Sequence, residues 1–191
     1  MLLKFTRTLG EMIPVLMESP EIKDDSPVYW VFSNVSKKWE NMTVISPGNL
    51  GKEFPKTYGH YHPTDTVEKY KLLSGQGLLI MQKRKFVDDD WKDNQIEKVY
   101  FVEFLPGDEI NITSEWGHSW SNISSEPLVT LDDWKDGHKE SDYEPMKKLQ
   151  GMSYYLISKN GQAEFVTNKN YKDLPKPEWI TASDFNKLSC E

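Results

Sequence analysis

Three of the four histidines in this sequence fall in two short segments. His60 and His62 stand two apart in Gly59-His60-Tyr61-His62, Glu68 follows, and His118 comes later. On a strand, residues two apart face the same side, so both imidazoles of a His-x-His pair look into one interior. Glu68 opens the next strand, and its carboxylate reaches the same point if the two strands pair. His118 arrives from a later hairpin. Three imidazoles and one carboxylate suit Fe²⁺, Mn²⁺, Ni²⁺, Co²⁺ or Zn²⁺ and leave positions for water or substrate. The fourth histidine, His138, lies in Asp136-Gly137-His138-Lys139, which reads as a solvated turn.

These residues need a scaffold of strands. Val28, Tyr29, Trp30, Val31 and Phe32 form a β-branched and aromatic run, as strands prefer. Thr43-Val44-Ile45 ends at the turn signal Pro47-Gly48. Further strands are expected at 67–73, 78–82, 99–104, 109–113, 118–123 and 127–131. A tight hairpin at Asn160-Gly161 joins 154–158 to 163–167. The charged stretch 83–98, with Asp88-Asp89-Asp90, reads as a solvated hairpin loop; it lacks the glycine and terminal glutamate of a calcium loop. Residues 133–150 read as a loop with a helical turn. Many short strands with few helical patterns give an all-β sandwich or barrel. The expected division is an N-terminal arm at 1–26, a barrel at 27–170 and a C-terminal tail at 171–191 packed on its surface.

The chain has 191 residues and a net charge of −7, with no basic stripe to neutralise a phosphate backbone, so nucleic acid is not an expected partner. Cys190 is the only cysteine, which excludes a disulfide within the chain and fits a reducing compartment. Residues 1–10 carry Lys4 and Arg7 and no apolar run of signal-peptide length, and no window approaches a membrane span. A cytoplasmic location is therefore expected.

The spacing resembles the cupin signature. Its first motif runs from the histidine pair through a glutamate to a glycine, here His60, His62, Glu68 and Gly75. Its second contributes Gly107, His118 and Asn122, with Thr113 and Glu115 where a proline and a glycine are usual. The resemblance implies a double-stranded β-helix, or jelly-roll barrel, with an N-terminal arm and few short helices. Residues 25–82 are more narrowly similar to the cupin-type glucose-6-phosphate isomerases best known from archaea. The similarity is carried by Pro27-Val28-Tyr29, by Thr43 to Gly48, by Gly51-Lys52-Glu53-Phe54, by Thr57-Tyr58-Gly59-His60-Tyr61-His62 and by Glu68-Lys69-Tyr70. Arg7-Thr8-Leu9 with Met12, and Asp142-Tyr143, extend it.

That family resemblance implies interconversion of glucose 6-phosphate and fructose 6-phosphate on one divalent metal, with Fe²⁺ first among the candidates. It implies that Thr43, Thr57 and the Gly59 backbone hold the phosphate, with Lys52 or Lys56 as possible helpers. Tyr29, Tyr70 and Tyr143 would meet sugar hydroxyls, and Trp134 stands near the place of another tyrosine. Glu68, Tyr70 and His118 would form the catalytic group, with Glu68 moving a proton between C2 and C1; a metal-assisted hydride shift is the rival route. A homodimer is expected. Two other readings stay open: a metal cupin acting on another sugar phosphate, and a non-catalytic cupin that binds sugar or metal.

Overall fold

A computed structural model describes residues 1–19, 25–62, 66–135, 137–160 and 162–188. The acidic run after Pro20, Asp136, the Gly161 half of the Asn160-Gly161 turn, and Cys190 lie outside the described residues. The chain begins with β1 (Leu2–Thr8), a helical turn α1 (Leu9–Met12) and a 3₁₀ turn (Ile13–Val15). Then come β2 (Pro27–Ser33), β3 (Asn41–Ile45), β4 (Val67–Ser74), β5 (Gly77–Val87) and β6 (Asp90–Glu103). β7 (Glu109–Thr113), β8 (Trp116–Asn122) and β9 (Leu128–Asp132) follow. The last elements are α2 (Glu140–Lys148), β10 (Tyr154–Lys159), β11 (Gln162–Thr167), β12 (Glu178–Thr181) and α3 (Ala182–Leu188).

Alternation decides which residues face the interior. In β3, Asn41, Thr43 and Ile45 are buried while Met42 and Val44 between them are less so. In β4 the inward set is Glu68, Tyr70 and Leu72. Each of these strands therefore sends polar groups into the barrel at alternate positions.

One sheet has the order β1-β2-β3-β9-β4-β7, and the other β12-β6-β5-β8. The segment 54–62 runs along the free edge of β8. Its N–H and C=O groups bond β8 at Thr57 N to Trp120 O (2.9 Å) and reciprocally between His60 and His118 (3.2 and 3.0 Å). Four strands, β3-β9-β4-β7, thus oppose the segment 54–62 with β8, β5 and β6, and sequence neighbours alternate between the two layers except β5 and β6, which pair with each other. This is a double-stranded β-helix, and the all-β expectation holds. Tyr70 of β4 meets Trp120 and His118 of β8 at ring separations of 6.0 and 5.5 Å, which fixes the two layers face to face.

All of β8 is buried although five of its seven residues are not hydrophobic. Buried polar groups must find partners, and they do. Asn122 donates its amide hydrogens to the carbonyls of Ile45, Ser46 and Glu126 (3.1, 3.1 and 2.8 Å) and accepts from Ser124 N–H (3.1 Å). It ties the end of β8 to the end of β3.

Two expectations need correction. Residues 83–98 are a paired ribbon, not a solvated loop. β5 and β6 stay in register to Val87↔Asp90, and Asp88 and Asp89 alone make the turn with φ of 53° and 55°. Two positive φ values in a two-residue connection give the twist that flanking strands need. The charges project from the exposed half of the ribbon. The tail adds structure that composition did not disclose: β12 runs parallel to β6 with Trp179 opposite Phe101, and α3 buries Phe185. The 133–150 region carries nine-residue α2. Among the described residues no helix is long and apolar enough to cross a membrane.

Candidate metal centre and sugar chamber

The segment 54–62, β4 and β8 bring His60, His62, Glu68 and His118 to one point, with one ligand atom from each within 4.8 Å of the others. Gly59 makes this possible. Its φ of +80° turns the chain onto β8, and a Cβ there would stand 3.3 Å from the Ser119 Cβ. His62 Nε2 and Glu68 Oε2 share a hydrogen bond of 2.6 Å, and His118 Nε2 stands 3.4 Å from the same oxygen.

The cluster is buried, yet His60 Nε2, His62 Nδ1, Glu68 Oε1 and both ring nitrogens of His118 have no hydrogen-bond partner. Orphaned polar atoms this deep are costly. Converged on one point, with nitrogen and oxygen donors, they fit a divalent metal. The protonation states agree. Burial, then His138, His118 and His62, hold His60 well below the usual histidine range. Burial lowers His118 too, against the opposing pull of Glu68. Neutral imidazole is the form that binds metal. Burial alone would raise Glu68, but the adjacent His118 and His62 outweigh it and hold the carboxyl at about 2.

A cavity of about 230 Å³ opens beside the cluster. Tyr29, Thr43, Thr57, Gly59, Tyr70 and Tyr143 all line it, as does the metal-side ring of His60. The Thr57 hydroxyl accepts from Trp120 N–H at 3.0 Å, which orients it. Lys52 and Lys56 do not line this cavity. Lys52 pairs with Glu18 at the surface (2.9 Å), and Lys56 is buried against Glu53 and donates to Val15 O (2.8 Å). A larger hollow, about 700 Å³, lies between Leu9, Glu18 and Pro47 and contains none of the histidines.

Three residues of the chamber, His138, Asn41 and Asp132, were not expected there from the sequence, while Trp134, expected near a sugar contact, lines it too. His138 is not a solvated turn residue: its ring sits 3.9 Å from that of His60, and burial lowers it to about 4. Trp134 stacks on His138 (6.0 Å, 11°) and lies 4.7 Å from the His62 ring. Asn41 and Asp132 form a buried pair in the wall. The inward phase of β3 and β9 was the available signal for that pair. For His138 there was none, because the loop after β9 folds back over the site.

The family model for glucose-6-phosphate isomerase matches residues 31–176. A glucose-6-phosphate isomerase of Pyrococcus furiosus is 30% identical over 158 residues, covering 78% of this chain and 76% of its own. One from Thermococcus kodakarensis is 28% identical over 160 residues, covering 80% and 77%. Among solved structures, a predicted oxalate decarboxylase from Thermotoga maritima aligns with a TM-score of 0.37 and 18% identity over 55% of this chain and 76% of that one.

Proposed function

The chain belongs to the glucose-6-phosphate isomerase family, and from that premise we propose that the histidine–glutamate chamber is its catalytic centre. The enzyme interconverts glucose 6-phosphate and fructose 6-phosphate. The observation that carries the reading is the four-residue ligand cluster set against a cavity lined by hydroxyl-bearing side chains.

His60, His62, Glu68 and His118 would hold the metal, with Fe²⁺ preferred and Mn²⁺, Ni²⁺, Co²⁺ and Zn²⁺ acceptable to the same donors. When bound, such an ion supplies Lewis-acid stabilisation of negative charge on the sugar's C1 and C2 oxygens. Thr43, Thr57 and the Gly59 N–H receive the phosphate, for which hydroxyls and backbone amides are suitable donors. Tyr29, Tyr70 and Tyr143 orient the open-chain sugar. Burial and then the charge of Glu68 hold Tyr70 well above the usual phenol range, so it remains a hydrogen donor. Glu68, ionised, takes the proton from C2 and returns it to C1, while the C2 hydroxyl proton passes to the C1 oxygen, so that aldose becomes ketose. His118, beside the same carboxylate, fixes its orientation.

A second copy of the chain is the proposed partner. β1 is the outer strand of the larger sheet and exposes Leu2 and Leu3, an edge that dimerisation would cover. The cytoplasm, where phosphorylated sugars are retained, is the proposed location. A net charge of −7 argues against nucleic acid.

The test of the catalytic reading is Glu68→Gln. A variant that keeps its metal and loses isomerisation supports proton transfer by Glu68. Near-normal turnover would remove that role and favour the hydride shift.

A further inference from the structure

The chamber contains a carboxyl group for which the isomerase reading has no task. Asp132 ends β9, is 5% exposed, and lines the cavity. It is the register partner of Asn41 on β3 and of Tyr70 on β4, so it lies at the middle of three adjacent strands. Its Oδ1 accepts from Asn41 Nδ2 at 2.6 Å and from Trp134 N–H at 3.1 Å. Asn41 Nδ2 also donates to Trp134 O at 2.8 Å. These bonds fix both side chains and leave two acceptors over: Asp132 Oδ2, and Asn41 Oδ1, which is buried without a partner.

Among the described residues no cation forms an ion pair with Asp132. A buried carboxyl with neither a counter-ion nor a full set of donors costs free energy, and an apolar side chain would fill the same wall at less cost. The arrangement is therefore short of hydrogen donors, and it faces a cavity whose expected occupant carries several. We infer that Asp132, held by Asn41, is a specificity-determining residue that hydrogen-bonds a secondary hydroxyl of the sugar phosphate.

This inference rests on the isomerase reading and deepens it. Burial and the charge of Glu68 push the Asp132 carboxyl up to about 8, against the opposing effects of Asn41, Trp134 N–H and Lys4. Either protonation state serves the role, since both forms accept a hydroxyl hydrogen. A site built around a substrate hydroxyl rejects the analogue lacking it, because its own buried groups are then left unpaired.

The experiment compares kcat/KM for glucose 6-phosphate and its 3-deoxy and 4-deoxy analogues. It uses metal-loaded wild type, Asp132→Ala, Asp132→Asn and Asn41→Ala, with metal content and Tm measured for each. Wild type should disfavour one deoxy analogue by about tenfold or more. Asp132→Ala should lose a similar factor on glucose 6-phosphate, mainly through KM, and no longer distinguish the two sugars. Asp132→Asn keeps the volume, and Asn41→Ala leaves the carboxyl in place; both give the comparison if Asp132→Ala is unstable. An equal loss on all three substrates, with discrimination intact, would reduce Asp132 to structural support and overturn the inference. Wild-type turnover of glucose 6-phosphate reports separately on the isomerase reading, and its absence would remove both.

Discussion

His62 Nε2 and Glu68 Oε2 lie 2.6 Å apart with both side chains fully buried. The pair closes the gap between the histidine-bearing segment and β4, so the ligand cluster is also a structural joint of the barrel. Its protonation therefore couples site chemistry to stability.

That coupling has a sign. His60, His118 and His138 have folded pKa values below the unfolded histidine value of about 6.5. At these groups the unfolded chain binds protons first, so their contribution is complete above about pH 6.5 and falls as pH drops toward the His138 value of about 4. Glu68 acts in the same direction at lower pH, from about 4.3 in the unfolded chain down to its folded value of about 2. Asp132 opposes them: its carboxyl, raised to about 8 in the folded chain, adds stability as pH falls from about 8 toward the unfolded value of about 3.9, so the test is the difference in Tm slope between metal-free wild type and His138→Gln. In His138→Gln the slope between pH 6.5 and 4 should be shallower. The same slope in both proteins would contradict the burial of a neutral His138.

Thr43 tests the phosphate end of the chamber. It is buried, lines the cavity, and Val has nearly its shape. Thr43→Val should raise KM for fructose 6-phosphate by about tenfold or more, the worth of one hydrogen bond to a charged group. kcat and Tm should change little. An unchanged KM would place the phosphate elsewhere.

His138 tests the wall over the metal ligands. Its ring covers His60 at 3.9 Å, outside the four-residue ligand cluster. His138→Ala should keep metal stoichiometry and lower kcat by about tenfold through lost positioning of the substrate. Loss of metal in this variant would make His138 part of the binding set instead.

Asn122 tests the scaffold. Truncation to Ala removes the donor shared by three carbonyls, of which that of Ile45 is buried. The cost should be about 2–4 kcal/mol, a Tm lower by roughly 5–15 °C in calorimetry. A change of under about 2 °C would show that the join between β8 and β3 does not depend on it.

Much of the site was legible because it follows period two. Glu68 and Tyr70 share the inward face of β4, and His60 and His62 stand two apart on the extended segment that bridges to β8 at His60. What was not legible depends on contacts distant in sequence. The return of His138 is set by the loop after β9. The charged ribbon 83–98 looked like a loop because alternation carries no hydrophobic signal where both faces are exposed. β12 pairs in parallel with β6, a long-range choice that four residues of local sequence do not encode.

The central claim is that isomerisation occurs at a metal held by His60, His62, Glu68 and His118. The most direct measurement is conversion of fructose 6-phosphate to glucose 6-phosphate, coupled to a dehydrogenase and read beside metal content. It compares metal-stripped wild type, the same protein refilled with Fe²⁺, Mn²⁺, Ni²⁺ or Zn²⁺, and His60→Ala. Activity should be absent without metal, return on refilling, and stay absent or at least about a hundredfold lower in His60→Ala. Full activity in stripped protein, or in a His60→Ala variant free of metal, would contradict the account.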